Sequence, residues 1–518
     1  MKINVNTAEK VGNLHNFWNN IHFHPTDAIE DNWGQKVLDH VSKDKVAKYV
    51  RMHSMFEDIV SRNSEGKLEY DFTDCDIRCD YLIEKGFKAL ICFNFMPLCM
   101  ASDKLVTVEK FKKNTLRYKD KAINYSAPAD YKEWEEICAE YTKHLIERYG
   151  IEEISTWYFH CWNEPDAGYW ISNLGNEAWD AAGLTDKIDE YIKLYDHFAA
   201  GVTSVCDKIK IGGPSAAGSD RFIRLFLEHI TTGKNTVDGQ IGTKCDFISI
   251  HCYSQGIYSD LPNKTFVSPD NIMQRLRTIQ GFMEEYGIGS KEMVLDEWGI
   301  AGGGFLGIDR DPRMLFRETE YYAAFYARLI DLIRSETKWN LSMMMICLSG
   351  QDHSVLDFDG FRTFFTANGF KKPVYNGFAL CAKLGNQLLD TDFIKDKYSG
   401  IIPTVDDNGN VKILLYRHCD VFDGRIDNEN IKLCINGLCG KYAVRHYRID
   451  KSTSNAFTKW CELNRPEHLT MIQKDVLEKA GDLALYYPEE VVELNGNYIQ
   501  DVVMQQNSVS LIEFERIV

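Results

Sequence analysis

Apolar and polar positions along this chain follow two regimes that meet near residue 390. From about residue 20 to that point, short apolar runs alternate with longer amphipathic stretches. The runs are KYVRMHS (48–54), KALICFNF (88–95), ISTWYFHCWNE (154–164), IKIGGP (209–214), DFISIHCY (246–253), EMVLDEWG (292–299) and LSMMMICLSG (341–350), with a weaker eighth at FWNNIHFHP (17–25). Helix-like stretches lie between them, among them 74–86, 131–150 and 318–335. Continuous apolar runs suit strands buried on both faces. Strand–helix alternation implies parallel strands joined by right-handed crossovers. Eight such repeats predict a closed (β/α)8 barrel with long loops after its strands. The alternative, an open doubly wound sheet, would want a glycine-rich turn after its first strand, and the sequence has none.

Beyond residue 390 the pattern changes. NGNVKILLYRHC (408–419), GKYAVRHYRIDK (440–451), GDLALYYPEE (481–490) and SVSLIEFERIV (508–518) read as antiparallel strands between turn residues, interrupted by one helix at 467–481. The expected organisation is therefore a barrel over 16–390, a β-sandwich over 391–518, and an N-terminal segment, 1–15, whose strand KINVN joins the sandwich.

Composition narrows the function. A length of 518 residues exceeds one ordinary core, and 44% hydrophobic with 26% charged residues is a common globular balance. Acidic residues outnumber basic ones 76 to 59, a net charge of −17, which argues against a nucleic-acid partner. No stretch approaches the run of about 20 apolar residues that spans a bilayer, and the first residues lack a signal-peptide core. The fifteen cysteines are scattered, and the nearest pairs, Cys75/Cys79 and Cys434/Cys439, lack C-x-x-C spacing. A reduced, cytoplasmic protein is expected over a disulfide-stapled secreted one.

Two carboxylates end apolar strands: Glu164 after TWYFHCWN and Glu297 after EMVLD. In a (β/α)8 barrel the C-terminal strand ends build the active site, here strands 4 and 7. Glycoside hydrolysis needs one acid to protonate the leaving oxygen and a second carboxylate to attack or to activate water. Either glutamate alone could cap a loop or pair with an arginine; together they point to this chemistry. His160 and Cys161 near Glu164 tempt a metal reading, but alternation sends them to opposite faces and no second ligand pair follows, so no metal and no cofactor is expected. The glycines 302–304 lack the Lys-Ser/Thr of a phosphate cradle.

The contexts Asn163-Glu164-Pro165 and Asp296-Glu297-Trp298-Gly299 resemble clan A glycosidases. With YVRMHSMF (49–56), FNFMP (93–97), IGGP (211–214), DFISIHCYS (246–254), KKPVYNGF (371–378) and LNRPEHLTMIQKDVLEKA (463–480), the whole chain resembles glycoside hydrolase family 39, the β-xylosidase and α-L-iduronidase family. The resemblance implies a retaining exo-glycosidase, with Glu164 as acid/base, Glu297 as nucleophile, and the carboxyl groups about 5–5.5 Å apart. It implies that His53, Asn163, His251 and Tyr253 point into the sugar subsite, with Arg51 close to the nucleophile; Trp298 is assigned to the pocket with them. Outside that resemblance His251 would read as a satisfied core histidine. A carbohydrate substrate and a homo-oligomer are implied as well.

One departure bears on the sugar. Strand 8 of the family's bacterial β-xylosidases carries an aromatic floor followed by acidic residues; here MMMICLSGQDHSVL (343–356) has no Trp and no Glu pair. Its loop offers Gln351, Asp352, His353 and, further on, Arg362, an Asp and Arg that resemble the carboxylate grip of α-L-iduronidases. A structural ion pair of Arg362 with Asp357 or Asp359 is the plainer explanation. Xylose is the leading glycone, with uronic acid, galactose or arabinose as alternatives and a catalytically silent carbohydrate-binding barrel as the rival of another class.

Overall fold

The computed structural model describes residues 1–517 except 24–28, 31, 105–122, 168–180, 255–266, 303–306, 337 and 349–355, and only the backbone of 181–186. Eight parallel strands close into a barrel in chain order: Asn20–Phe23, Tyr49–His53, Lys88–Phe93, Tyr158–Cys161, Lys210–Ala216, Phe247–Tyr253, Glu292–Gly299 and Leu341–Leu348, here barrel strands 1 to 8. Each predicted run yields one of them. The run at 154–164 yields the least, because Ile151–Ile154 forms a helical turn that buries Ile154 before the strand begins.

The outer helices follow from amphipathic spacing and capping. Tyr131–Tyr149 starts at Asp130, whose carboxylate accepts from Lys132 N, and ends at Gly150, with φ +83°. Its buried residues Trp134, Ile137, Cys138, Tyr141 and Leu145 recur at helical spacing toward the barrel.

Inside the barrel, alternation sorts the lumen into layers. The lower layer is apolar and aromatic: Leu90, Tyr158, Phe247, Val294, Met343 and Met345, with Tyr49 packed against them. Two residues further along these strands the lumen turns polar, with Arg51, Cys92, His160, Ser249, Asp296 and Cys347, all buried.

The second unit is an antiparallel sheet folded around its own core of Ile3, Val5, Ile413, Leu433, Ile435, Ile512 and Phe514. The N-terminal strand Lys2–Asn13 pairs antiparallel with Gln387–Thr391 and parallel with Glu429–Ile449. Gln387–Thr391 thus belongs to this sheet although most of it precedes residue 391. Two strands are longer than the pattern suggests: Glu429–Ile449 and Glu490–Met504 form one long hairpin. Their turn-like residues sit mid-strand, where Leu438 opposes Gly496 across a register shift and Gly437, Gly440 and Gly496 take positive φ. Helices Ala456–Glu462 and Met471–Gly481 project from the sheet, and Phe457 and Leu477 pack on Phe358 and Phe370 in the segment after barrel strand 8.

Candidate active site

A one-residue bulge on barrel strand 7 creates the centre of the site. Leu295 pairs with Ile250 and Glu297 with His251, so Asp296 is the extra residue. Strict alternation would turn Glu297 outward and Trp298 inward; the bulge reverses both. Asp296 and Glu297 consequently both enter the lumen, where Asp296 Oδ2 lies 3.3 Å from Arg51 Nε and Glu297 Oε2 lies 3.1 Å from Arg51 Nη1. Trp298 faces the helical layer, fully buried, with its ring stacked on Tyr326 at 5.8 Å and 9° and on Phe378 at 6.5 Å. Its assignment to the sugar pocket is corrected accordingly.

Arg51, on barrel strand 2, spends its whole fork on this network. Nε donates to His160 Nε2 (3.2 Å), and Nη2 donates to Asn163 Oδ1 (2.6 Å) and Ser215 Oγ (3.2 Å). A rigid planar guanidinium on strand 2 can tie strands 4, 5 and 7 in this way where a lysine could not. The contact with Asn163 also orients its amide so that the NH2 group faces away from Arg51. His22, on barrel strand 1, stands 3.3 Å from Glu297 Oε2 and 3.1 Å from His53 Nε2. His53 in turn meets Asn94 through Nδ1 and stacks on Phe95 at 5.7 Å.

Glu164 sits at the strained end of barrel strand 4. Trp162, Glu164 and, on strand 5, Ser215 have φ of +64°, +47° and +55°. Such conformations cost about 1–3 kcal/mol each and persist only where the surroundings over-determine them. Here Glu164 N donates to Ser215 O (3.0 Å), and Asp166 accepts from the amides of Ala217, Gly218 and Ser219 (2.7–2.9 Å). His251 Nδ1 lies 2.8 Å from Glu164 Oε1 and 3.7 Å from Glu297 Oε2, while its Nε2 lies 3.0 Å from Ser215 Oγ and 3.6 Å from Asp296 Oδ2. The imidazole therefore bridges three carboxylates.

These surroundings drive the two glutamates apart. Burial raises the proton affinity of Glu164, and the charge of Glu297 adds to it against the pull of His251. Burial alone would raise Glu297 too. The cations His251, Arg51 and Arg362, with the Tyr253 hydroxyl that donates to Oε1, overcome it and hold Glu297 well below the usual carboxylate range. His251 loses affinity by burial, but Glu297 and Asp296 raise it to about 10; Asp296 itself, despite burial, is held at about 2 by Arg51 and His251. Burial and Arg51 push His160 down to about 3, so it accepts from Arg51 as a neutral ring. A buried acid with raised proton affinity beside one held well below the usual range is the division acid–base catalysis needs.

The remaining candidates divide. Arg362 reaches the pocket, its guanidinium 4.7 Å from the centre of the Tyr253 ring, and Cys347 faces inward on barrel strand 8. Asp352, with Gln351 and His353, lies outside the described residues. Asp357 takes the backbone and side-chain amides of Asn368 (2.9 and 2.7 Å). Among the described residues, two donor sets are compact enough for a metal, His22–Glu297–Cys347 and Glu164–His251–Glu297, each within 4.8 Å. Both share Glu297, which already pairs with Arg51, and the surrounding cations oppose a divalent ion.

The model of the glycosyl hydrolases family 39 matches residues 1–485. The chain belongs to glycosyl hydrolase family 39. Within that family, a β-xylosidase of Caldicellulosiruptor saccharolyticus is 30% identical over 505 residues, covering 93% of this chain and 92% of that protein. Human α-L-iduronidase is 26% identical over 267 residues, 48% of this chain and 35% of that protein. The crystal structure of a monomeric β-xylosidase from Caulobacter crescentus shares the fold, with TM-score 0.80 at 22% identity over 100% of both chains. This family-39 glycoside hydrolase thus places Glu164, Glu297, Arg51, His53, Asn163, His251, Tyr253 and Arg362 around one end of its barrel. His22, His160, Ser215 and Asp296 join them without having been singled out as pocket residues. Alternation within NIHF and YFHC would have found the two histidines. Nothing in the sequence marks Ser215, which turns inward at a register shift after Pro214.

Proposed function

We propose that this family-39 glycosidase is an exo-acting, retaining β-xylosidase with Glu164 as acid/base and Glu297 as nucleophile. The observation that carries this reading is the pair's geometry: a carboxylate oxygen of each lies within 4.8 Å of the other. Such a close approach supports a retaining pair, whose carboxyl groups stand roughly 5–5.5 Å apart. The lumen is closed beneath by the apolar layer, and the exo-acting reading rests on the likeness to the β-xylosidase.

Glu164 gives its proton to the glycosidic oxygen as Glu297 attacks the anomeric carbon. The C–O bond breaks, the aglycone leaves as an alcohol, and a glycosyl ester forms on Glu297. Glu164, now ionised, takes a proton from water; the water oxygen attacks the same carbon, releasing the sugar and the Glu297 carboxylate. Asn163, its carbonyl oxygen held by Arg51, offers N–H to the sugar 2-OH, a contact that strengthens in the transition state. His53 and His251 line the same subsite, while Arg51 and Tyr253 keep Glu297 ionised. The cycle calls for no cofactor or metal.

The xylose assignment rests on the likeness to the β-xylosidase along 92% of that protein. Purified protein should turn over nitrophenyl β-xyloside best in a panel of glycosides, and NMR should find β-xylose as the first product. α-Xylose formed first would mean inversion, and silence on the whole panel would favour a binding barrel. The position of Arg362 supports a second reading, a uronide substrate, since a buried guanidinium grips a carboxylate in a bidentate fork. Under it Arg362→Ala should lower kcat/KM for a uronide selectively, by about 2 kcal/mol or more. An unchanged ratio between uronide, xyloside, galactoside and arabinoside would leave a neutral glycone.

A reduced cytoplasmic setting is proposed with this, supported by thiols such as Cys75 and Cys79, whose sulfurs lie 3.9 Å apart unbonded. Cell fractionation tests it. A homo-oligomer is also proposed, supported by the exposed Val491, Ile499 and Val503 on strand Glu490–Met504. Light scattering should then give a multiple of 59.6 kDa.

A further inference from the structure

Arg362 is delivered to the pocket by a backbone that has been pressed flat. Gly360, two residues earlier, has φ +88°, and a Cβ there would meet Ile308 Cγ2 at 2.8 Å and Met314 Cβ at 3.2 Å. The segment lies against the 3₁₀ helix Pro312–Glu318, whose last two residues hold it through buried charges. Arg317 donates to Gly360 O (3.0 Å) and also to Ala301 O and Gly302 O (both 2.9 Å), just past the nucleophile strand. Glu318 Oε1 accepts from Gly360 N (2.8 Å) and from Lys372 Nζ (2.6 Å). Lys372 Nζ closes the ring by donating to Phe361 O (3.2 Å). Arg317, Glu318 and Lys372 are 1%, 0% and 0% exposed.

A buried ion pair of this kind is a weak source of net stability, because desolvation offsets its attraction and apolar residues of the same shape do as well. What it supplies is direction: its hydrogen bonds fix the Gly360 amide and the Phe361 carbonyl, while Arg317 fixes the Gly360 carbonyl. Such fixing has work to do, because the Arg317 guanidinium, which burial and the Arg362 charge bring down to about 9, repels Arg362. The accessory unit holds the same segment from the other side. Phe358, at φ +59°, packs on Phe457 (5.7 Å) and Trp460 (5.2 Å) of helix Ala456–Glu462. Asn455, at the start of that helix, donates to Glu320 (2.9 Å), next to the 3₁₀ helix.

We propose that Arg317, Glu318 and Lys372 are positioning residues that set Arg362 in the sugar site, and that the accessory unit, through Phe358, shares in determining which glycone the barrel accepts. This rests on the reading of Arg362 as a residue lining the sugar subsite.

The test is a mutant cycle between the ion pair and Arg362, read on the best glycoside of the panel together with Tm. The neutral variant Glu318→Gln/Lys372→Met should raise KM roughly tenfold, the scale of one charge-assisted hydrogen bond, with kcat within about twofold. Arg362→Ala should raise KM at least as far, and the triple variant should be no worse than Arg362→Ala alone. If the neutral pair does not fold, Phe358→Leu, which leaves the ion pair intact, should reproduce the shift in KM and likewise lose its effect once Arg362 is gone. A fall in Tm with unchanged KM, or effects that multiply in the triple variant, overturns the positioning role while leaving Arg362 in the site. Arg362→Ala without effect on any glycoside removes Arg362 from the sugar site, and the positioning role with it.

Discussion

The lower and upper halves of the barrel lumen are built by the same strands under the same alternation, yet different forces hold them. Below, Leu90, Tyr158, Phe247, Val294, Met343 and Met345 gain from leaving water and need only fit one another. Above, Arg51, His160, His251, Asp296 and Glu297 would each be costly to bury alone, and every one is matched to another. A mismatch below leaves a cavity; a mismatch above leaves an uncompensated charge. The upper end of this barrel is a single electrostatic unit, whereas the lower end is a sum of separable contacts.

The largest effect that could break this picture is removal of the proposed nucleophile. Glu297→Gln should lower kcat on every glycoside by about 10⁴-fold or more, the scale for loss of a covalent catalyst's central group. Turnover of an activated aryl glycoside within tenfold of wild type would end its role. Glu164→Gln should be next, costing roughly 10²–10⁴-fold on glycosides with poor leaving groups. Activated ones should lose far less and show a burst as the glycosyl-enzyme accumulates; equal slowing of both classes without a burst refutes the acid/base assignment.

A third pair of variants sets the two layers directly against each other. Arg51→Met should destabilise by about 3–5 kcal/mol in denaturant unfolding, because Asp296 and Glu297 are left without their buried counter-ion. It should also abolish activity. Met345→Ala should cost a comparable 2–5 kcal/mol or so by opening a cavity, yet keep kcat/KM within about threefold. Loss of catalysis from Met345→Ala at a temperature where it is folded would mean that the halves are not separable.

The smallest effect is a pH dependence confined to the upper layer. His251 is raised to about 10, so the stability it contributes is complete below its unfolded value near 6.5 and is lost as pH rises through 10. Glu297 and Asp296 are depressed, so theirs is present above an unfolded value near 4 and lost only as pH falls toward their folded values. Tm should accordingly decline between pH 6.5 and 10 in wild type and in Met345→Ala alike, and less steeply in His251→Gln. An identical decline in all three proteins would show that His251 is not the group being titrated.

The sequence by itself determined the barrel, since eight apolar runs of strand length separated by amphipathic helices allow few other closed cores. It also singled out Glu164 and Glu297, because each follows an apolar run; Glu164 lies just past strand 4 and Glu297 near the end of strand 7. Alternation put Arg51 with His53 and His251 with Tyr253 on shared strand faces, and the family resemblance aimed those faces at the sugar subsite. Trp298, assigned to the pocket, lies outside it because a single extra residue at Asp296 shifts the phase of every later side chain on that strand, and nothing local announces a bulge. The long hairpin 429–504 escaped for a related reason, as Gly437, Gly440 and Gly496 read as turns until their cross-strand partners are known. The charge network is the part that only the tertiary structure decided. Whether an arginine, a histidine and two carboxylates compensate one another depends on distances of a few ångströms between strands up to 246 residues apart, and Coulomb energy falls off in space, with no regard for separation along the chain.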